Sequence, residues 1–134
     1  MRMLRCLRSE NGTSVLEFAV VVPFLMIVFV VGAELSRAWF TANIVQNAVR
    51  EGARMGAVTP DAPAGTAATV GQARITSILP SGLTLVSGPT VTCDHSPCQP
   101  DDKVQADVTV LFQSVAPVFI PDFSIHQSAT MRYE

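Results

Sequence analysis

Glu17 is a carboxylate at the head of an apolar run, FAVVVPFLMIVFVVGA, that continues for sixteen residues without a charge to Glu34. An ionised side chain near the start of a membrane-spanning helix costs about 2.5–3.5 kcal/mol on insertion scales, less at the membrane edge, so a partner is expected. Five residues upstream stands Gly12, followed by Thr13. Cleavage after Gly12 would free an α-amine on Thr13, one helical turn from Glu17, with an ordinary pKa of about 7.7–8.0. That largely cationic amine could pair with Glu17 within one chain or between neighbouring helices, where it would fix their axial register. A glutamate that merely snorkels to the interface is the plainer reading of the same residue.

The other reactive side chains offer less. Cys93 and Cys98 flank Asp94-His95-Ser96-Pro97, a short loop that could close as a disulfide in an oxidising compartment. Free thiols are a second possibility. A zinc site on Cys93, His95 and Cys98 would lack an obvious fourth ligand, so no metal is expected. Cys6 lies near the N-terminus, where reducing conditions would keep it free. Asp101-Asp102 is explained more simply as a polar turn before a strand than as a cation site. His95 and His126 have no companion constellation, and His126 falls on the outward face of a strand. With no nucleophile elbow, no phosphate-cradling loop and no paired histidines at helical spacing, neither an enzyme nor a cofactor is expected.

The elements around these residues decide the topology. Only 15% of the 134 residues are charged, below the usual quarter, which points to part of the chain lying in lipid. Sixteen helical residues cover about 24 Å, short of a hydrocarbon core of about 30 Å. Thr13 to Leu16 and Leu35 to Phe40 extend the segment if Glu17 and Glu34 are accommodated, and Trp39 falls where an interfacial aromatic belongs. Arg2, Arg5 and Arg8 precede it, so the N-terminus is expected in the cytoplasm and the bulk of the chain outside, in a single-pass inner-membrane arrangement. A buried core helix is one alternative. A secretory signal peptide is another, with Val31-Gly32-Ala33 as its cleavage site. From Thr59 onward seven acids face only Arg74, Lys103 and Arg132, which excludes nucleic acid as a partner.

Past the apolar run, Leu35, Ala38, Trp39, Ala42, Val45, Val49, Gly52, Ala53 and Gly56 recur by threes and fours, with Arg37, Asn43, Gln46, Asn47, Arg50, Glu51 and Arg54 opposite. The helix therefore continues to Thr59-Pro60, which ends it. Ala48, Gly52 and Gly56 recur every four residues and let another backbone approach, either from the chain's own domain or from another subunit. Thr66 to Leu79 reads as a second helix capped by Thr66, with Val70, Ala73, Ile75, Ile78 and Leu79 as its apolar positions and Pro80 closing it. Val104, Ala106, Val108, Val110 and Phe112 alternate with period two, and Phe123, Ile125, Ala129 and Met131 repeat the pattern. Leu83 to Val91 is a weaker strand, broken by Gly88-Pro89. Val115 to Phe123 is an apolar loop that covers the core, touches the membrane surface or meets a neighbour. The expected class is α+β: a long membrane-spanning helix running into a small extracytoplasmic domain of one further helix and a small antiparallel sheet.

A basic leader, Gly12, four residues, Glu17-Phe18 and then an apolar helix resemble a prepilin peptidase substrate. In particular, residues 11–58 are similar to the TadE-like proteins, minor pseudopilins of the tight-adherence (Flp) pilus. The shared features are the Glu-Phe-Ala opening, the proline in the apolar stretch and the segment Asn47-Ala48-Val49-Arg50-Glu51-Gly52-Ala53-Arg54. The ending SATMRYE, residues 128–134, is also similar to that family. The resemblance implies a leader over 1–12, a helix over 13–58 and an extracytoplasmic domain over 59–134. It further implies cleavage between Gly12 and Thr13, and as partners the membrane, a prepilin peptidase and other pilin-like or Tad assembly subunits. A type II secretion pseudopilin, or a membrane-tethered or secreted binding domain working alone, is the alternative.

Overall fold

A computed structural model describes the backbone of residues 10–134 and the side chains from Ser14 onward. Most of the leader, Cys6 included, lies outside the described residues, as do the surroundings of Gly12 and Thr13. Helix α1 runs unbroken over Glu10–Val58, 49 residues or about 70 Å. Pro23 sits inside it, where it removes one backbone donor. Helix α2 spans Thr66–Ile78, and three strands follow: β1 Thr84–Cys93, β2 Lys103–Phe112 and β3 Phe123–Arg132. The architecture is α+β, as expected.

The two halves of α1 differ in what surrounds them. From Ser14 to Ala33 nearly every side chain is exposed, and the most apolar stretch has none of its residues covered by the rest of the chain. That excludes the core-helix alternative, because a core helix is buried by its own domain. Beyond it the stripe Ala38, Val45, Ala48, Val49, Gly52, Ala53, Gly56 and Ala57 is buried. Leu35 and Trp39, read from sequence as part of that stripe, stand exposed instead. At their level the sheet covers one side of α1 only, the side of Glu34 and Ala38.

The sheet has the order β1-β2-β3, all antiparallel. β2 lies in the middle, and its alternation survives intact: Val104, Ala106, Val108, Val110 and Phe112 all point into the core. α1 packs on β2 and β3, and α2 on β1, so both helices lie on one face of the sheet. β1 carries register shifts between Leu85 and Ser87 and between Ser87 and Thr90, and Gly88-Pro89 falls within the second. A proline cannot donate to a ladder, which is why this strand reads weakly in sequence.

Two expectations for α2 need correction. Thr66 is its first helical residue and not its cap; Gly65 takes the cap position with φ 91°, in the left-handed region that favours glycine. The helix ends at Ile78, because Leu79 precedes Pro80 and turns extended. Its buried face is Ala67, Gly71 and Ile75, whereas Ala73 is exposed and Val70 half-buried. Proximity to α1 selects that face. A Cβ on Gly71 would lie 2.8 Å from the Gly52 carbonyl oxygen, and one on Gly52 would run into the Ile75 side chain. Ala48, Gly52 and Gly56 thus pack within the chain's own domain.

Candidate functional site

Three places on α1 gather the residues that matter. The first is the uncovered apolar half with Glu17. Its carboxylate is exposed on the helix among Leu16, Val20 and Val21, with no part of the folded domain near it. Glu34 stands seventeen positions beyond Glu17, so the two residues are about 26 Å apart along a straight helix, close to the thickness of a hydrocarbon core.

The second is the junction at Glu34, whose role sequence reasoning missed. Glu34 is 5% exposed. Its Oε1 lies 2.9 Å from Arg37 Nη1 and accepts the Val115 N–H at 3.3 Å, while Oε2 accepts the Ser114 hydroxyl at 3.3 Å. The Arg37 guanidinium in turn sits 5.5 Å from the Phe112 ring centroid, a cation–π contact. The first charge after the apolar run is therefore neutralised and bolted to the β2–β3 loop. That contact fixes the angle at which the helix enters the domain.

The third place is the far end of the domain, where the tail after β3 is tied down. Tyr133 donates its hydroxyl hydrogen to the Thr59 carbonyl at 3.2 Å and accepts the Asp61 N–H at 2.9 Å. Glu134 N–H reaches the Ala57 carbonyl. Asp61 caps α2 from a distance: Oδ1 accepts the Ala67 N–H at 3.1 Å, and Oδ2 accepts the Cys98 N–H at 2.9 Å. Asp102 accepts the Gln99 N–H at 2.7 Å and lies 2.8 Å from His95 Nδ1. Cys93 and Cys98 are joined as a disulfide, with Cα atoms 5.8 Å apart. His95 is thus engaged by a carboxylate, and among the described residues no cluster of His, Cys, Asp and Glu could hold a metal ion. His126 is exposed, 3.8 Å from Asp107.

Both buried aspartates are held below their ordinary pKa of 3.8, Asp61 chiefly by the Cys98 N–H and Asp102 chiefly by the Gln99 N–H and then His95. Burial opposes the shift and loses. Protons therefore bind the unfolded chain more readily than the folded one at low pH. The stabilisation is complete above the unfolded value of 3.8 and is lost as pH falls through the lower folded values. Thermal melts followed by circular dichroism should be level from neutral pH down to that point and fall steeply beyond it. In the double variant Asp61→Asn, Asp102→Asn the acid limb should be shallower; an unchanged limb would assign acid sensitivity to other carboxylates.

An apolar helix free of its own domain, bolted at Glu34 to a small α+β head, defines a protein whose long helix could span a membrane once. Residues 12–54 match the family model described as TadE-like protein, so this stretch of the chain is TadE-like. The match covers Glu17, the apolar run, Glu34, Arg37 and Gly52. No curated protein and no solved structure matches the chain.

Proposed function

We propose that this chain is a pseudopilin of the TadE type, a structural or assembly component of a tight-adherence pilus or secretion machine. The observation that carries the reading is an apolar half-helix that no part of the chain covers, continuous with the helix of a folded head. In water such a surface is untenable; it needs lipid or other helices. The bilayer holds it first. Other pilin-like helices, offering close packing at the same depth, then take the place of lipid. Arg2, Arg5 and Arg8 favour a cytoplasmic N-terminus, with the head outside the inner membrane. The disulfide suits that compartment. The work is structural, not catalytic.

On this reading a prepilin peptidase cleaves between Gly12 and Thr13. Mass spectrometry of the membrane-extracted protein should show a mature chain beginning at Thr13. A chain beginning at Glu34 would mean a conventional signal peptide, and an intact Met1 only an uncleaved anchor; either would sink the reading. Gly12→Val should crowd the scissile bond and leave the precursor to accumulate.

A further inference from the structure

We propose that the β2–β3 loop, residues 115–121, rests in the boundary between lipid headgroups and acyl chains, beside the point where α1 leaves the membrane. The proposal rests on the reading of α1 as a membrane span. Val115-Ala116-Pro117-Val118-Phe119-Ile120-Pro121 has no charge and no polar side chain. Val118 is 89% exposed, Val115 76% and Phe119 49%, although a well-packed sheet lies directly behind them. The loop's depth is fixed by contacts and not by the pliability of a loop: Val115 N–H and the Ser114 hydroxyl both bond to Glu34, the residue that ends the apolar run. From there β3 runs along α1 to its tail at Ala57, so the loop is the end of the head nearest the span.

The backbone is also prepared for lipid. Pro117 and Pro121 have no N–H. Of the remaining five donors, Val115 bonds Glu34, Ala116 bonds Ser114 Oγ, and Phe119 and Ile120 both bond the Ala116 carbonyl. That leaves Val118. Four of the five amide donors are thus paired within the chain, while the carbonyls of residues 117–121 accept no bond from the described residues and need water, which places the loop at the hydrated headgroup boundary and not in the acyl core. At the base, Glu34 is paired with Arg37, and the exposed Asp122, which accepts the Ser114 N–H at 2.8 Å and keeps its charge, limits the depth the loop reaches to the headgroup boundary. Trp39 and Phe40 stand exposed on α1 within two turns of Glu34 and form the other part of the same interfacial belt.

The chain holds one tryptophan, so single-tryptophan variants of the full chain can report depth. In a Trp39→Phe background, Ile27→Trp reports the span and Phe119→Trp the loop. Both are reconstituted at high lipid excess into phosphatidylcholine–phosphatidylglycerol vesicles carrying bromine either near the headgroups or deep in the chains. Tryptophan at 27 should be quenched most by deep bromine. Tryptophan at 119 should be blue-shifted, quenched most by shallow bromine and shielded from acrylamide, and adding Val118→Asp should abolish that quenching. If position 27 is quenched and position 119 is not, and 119 stays open to acrylamide, the loop is solvated and the inference fails while the span stands. If neither is quenched, the span reading fails with it. Shielding at 119 that depends on protein density and ignores lipid bromine would assign the loop to contact between copies, and would equally overturn the proposal.

Discussion

Gly71→Leu is expected to unfold the C-terminal domain while leaving the apolar half of α1 helical. The two helices cross where Gly71 and Gly52 face each other's backbones. A Cβ at 71 would lie 2.8 Å from the Gly52 carbonyl oxygen and 3.1–3.2 Å from both methyl groups of Val91. The obstacle is backbone on one side and a buried strand on the other, so neither can step aside. Gly71→Ala already brings overpacking of about 1–3 kcal/mol against roughly 1 kcal/mol gained in helix propensity. Leucine adds three further carbons with no space for them, and the helices must part. A domain this small has a stability in the range of roughly 5–15 kcal/mol at best, and opening the α1–α2 contact uncovers Ile75 and Val91 as well. Gly52→Ala should destabilise the domain comparably, because its Cβ runs into Cγ1 of Ile75, a fully buried β-branched side chain held near one helical rotamer, and stands 3.0 Å from the Gly71 carbonyl oxygen. Gly32→Ala, with nothing within 4 Å, is the control and should leave the domain as resistant as wild type or slightly more so. Trypsin digestion of the full chain in detergent reads the result, since Arg74 and Lys103 lie within the fold. A Gly71→Leu domain as resistant as wild type would refute the crossing as the domain's tightest constraint.

That crossing also shows what a single sequence can and cannot convey. The apolar run and the β2 alternation are local patterns, each set by one face or one environment, and both are legible directly. β1 was dim because Gly88-Pro89 interrupts its ladder. The span of α2 is legible but its buried face is not: the large apolar residues Val70 and Ile78 mark no single face, while contact with α1 is decided by Ala67 and Gly71, residues small enough for a close approach. Glu34 was recognised as a charge to be accommodated, but its partners Ser114 and Val115 lie 80 and 81 residues away. Asp61 and Tyr133, 72 residues apart, are equally silent, since neither sits in a motif of its own. At the C-terminal end Tyr133 ties the last strand to the end of α1 and the start of α2.

Glu17→Ala and Glu17→Gln are expected to insert and to be cleaved like wild type, yet to leave cells without surface pili. Insertion should be no worse, because removing a charge eases partition into lipid. Cleavage should persist because Gly12 and Thr13 are untouched. What changes is the encounter between subunits. Glu34 fixes the head to the helix, and Glu17 lies about 26 Å away along the same continuous helix. On the proposed reading, contact between neighbouring heads and pairing of Glu17 with the Thr13 amine of a neighbour would be one geometric event: a helix in the wrong axial register would satisfy neither. Truncating the carboxylate leaves the amine unpaired in a poorly solvated site, at a cost of about 3–5 kcal/mol when fully buried and less at the interface. Even the lower part of that range, repeated at each subunit, is enough to stop assembly. Snorkelling predicts the opposite, because a glutamate that only reaches for the interface contributes nothing to contact between helices. Gel shift for cleavage and electron microscopy for pili, in a strain lacking the native gene, separate the two. Normal piliation with Glu17→Ala would remove the pairing mechanism and weaken the pseudopilin reading with it.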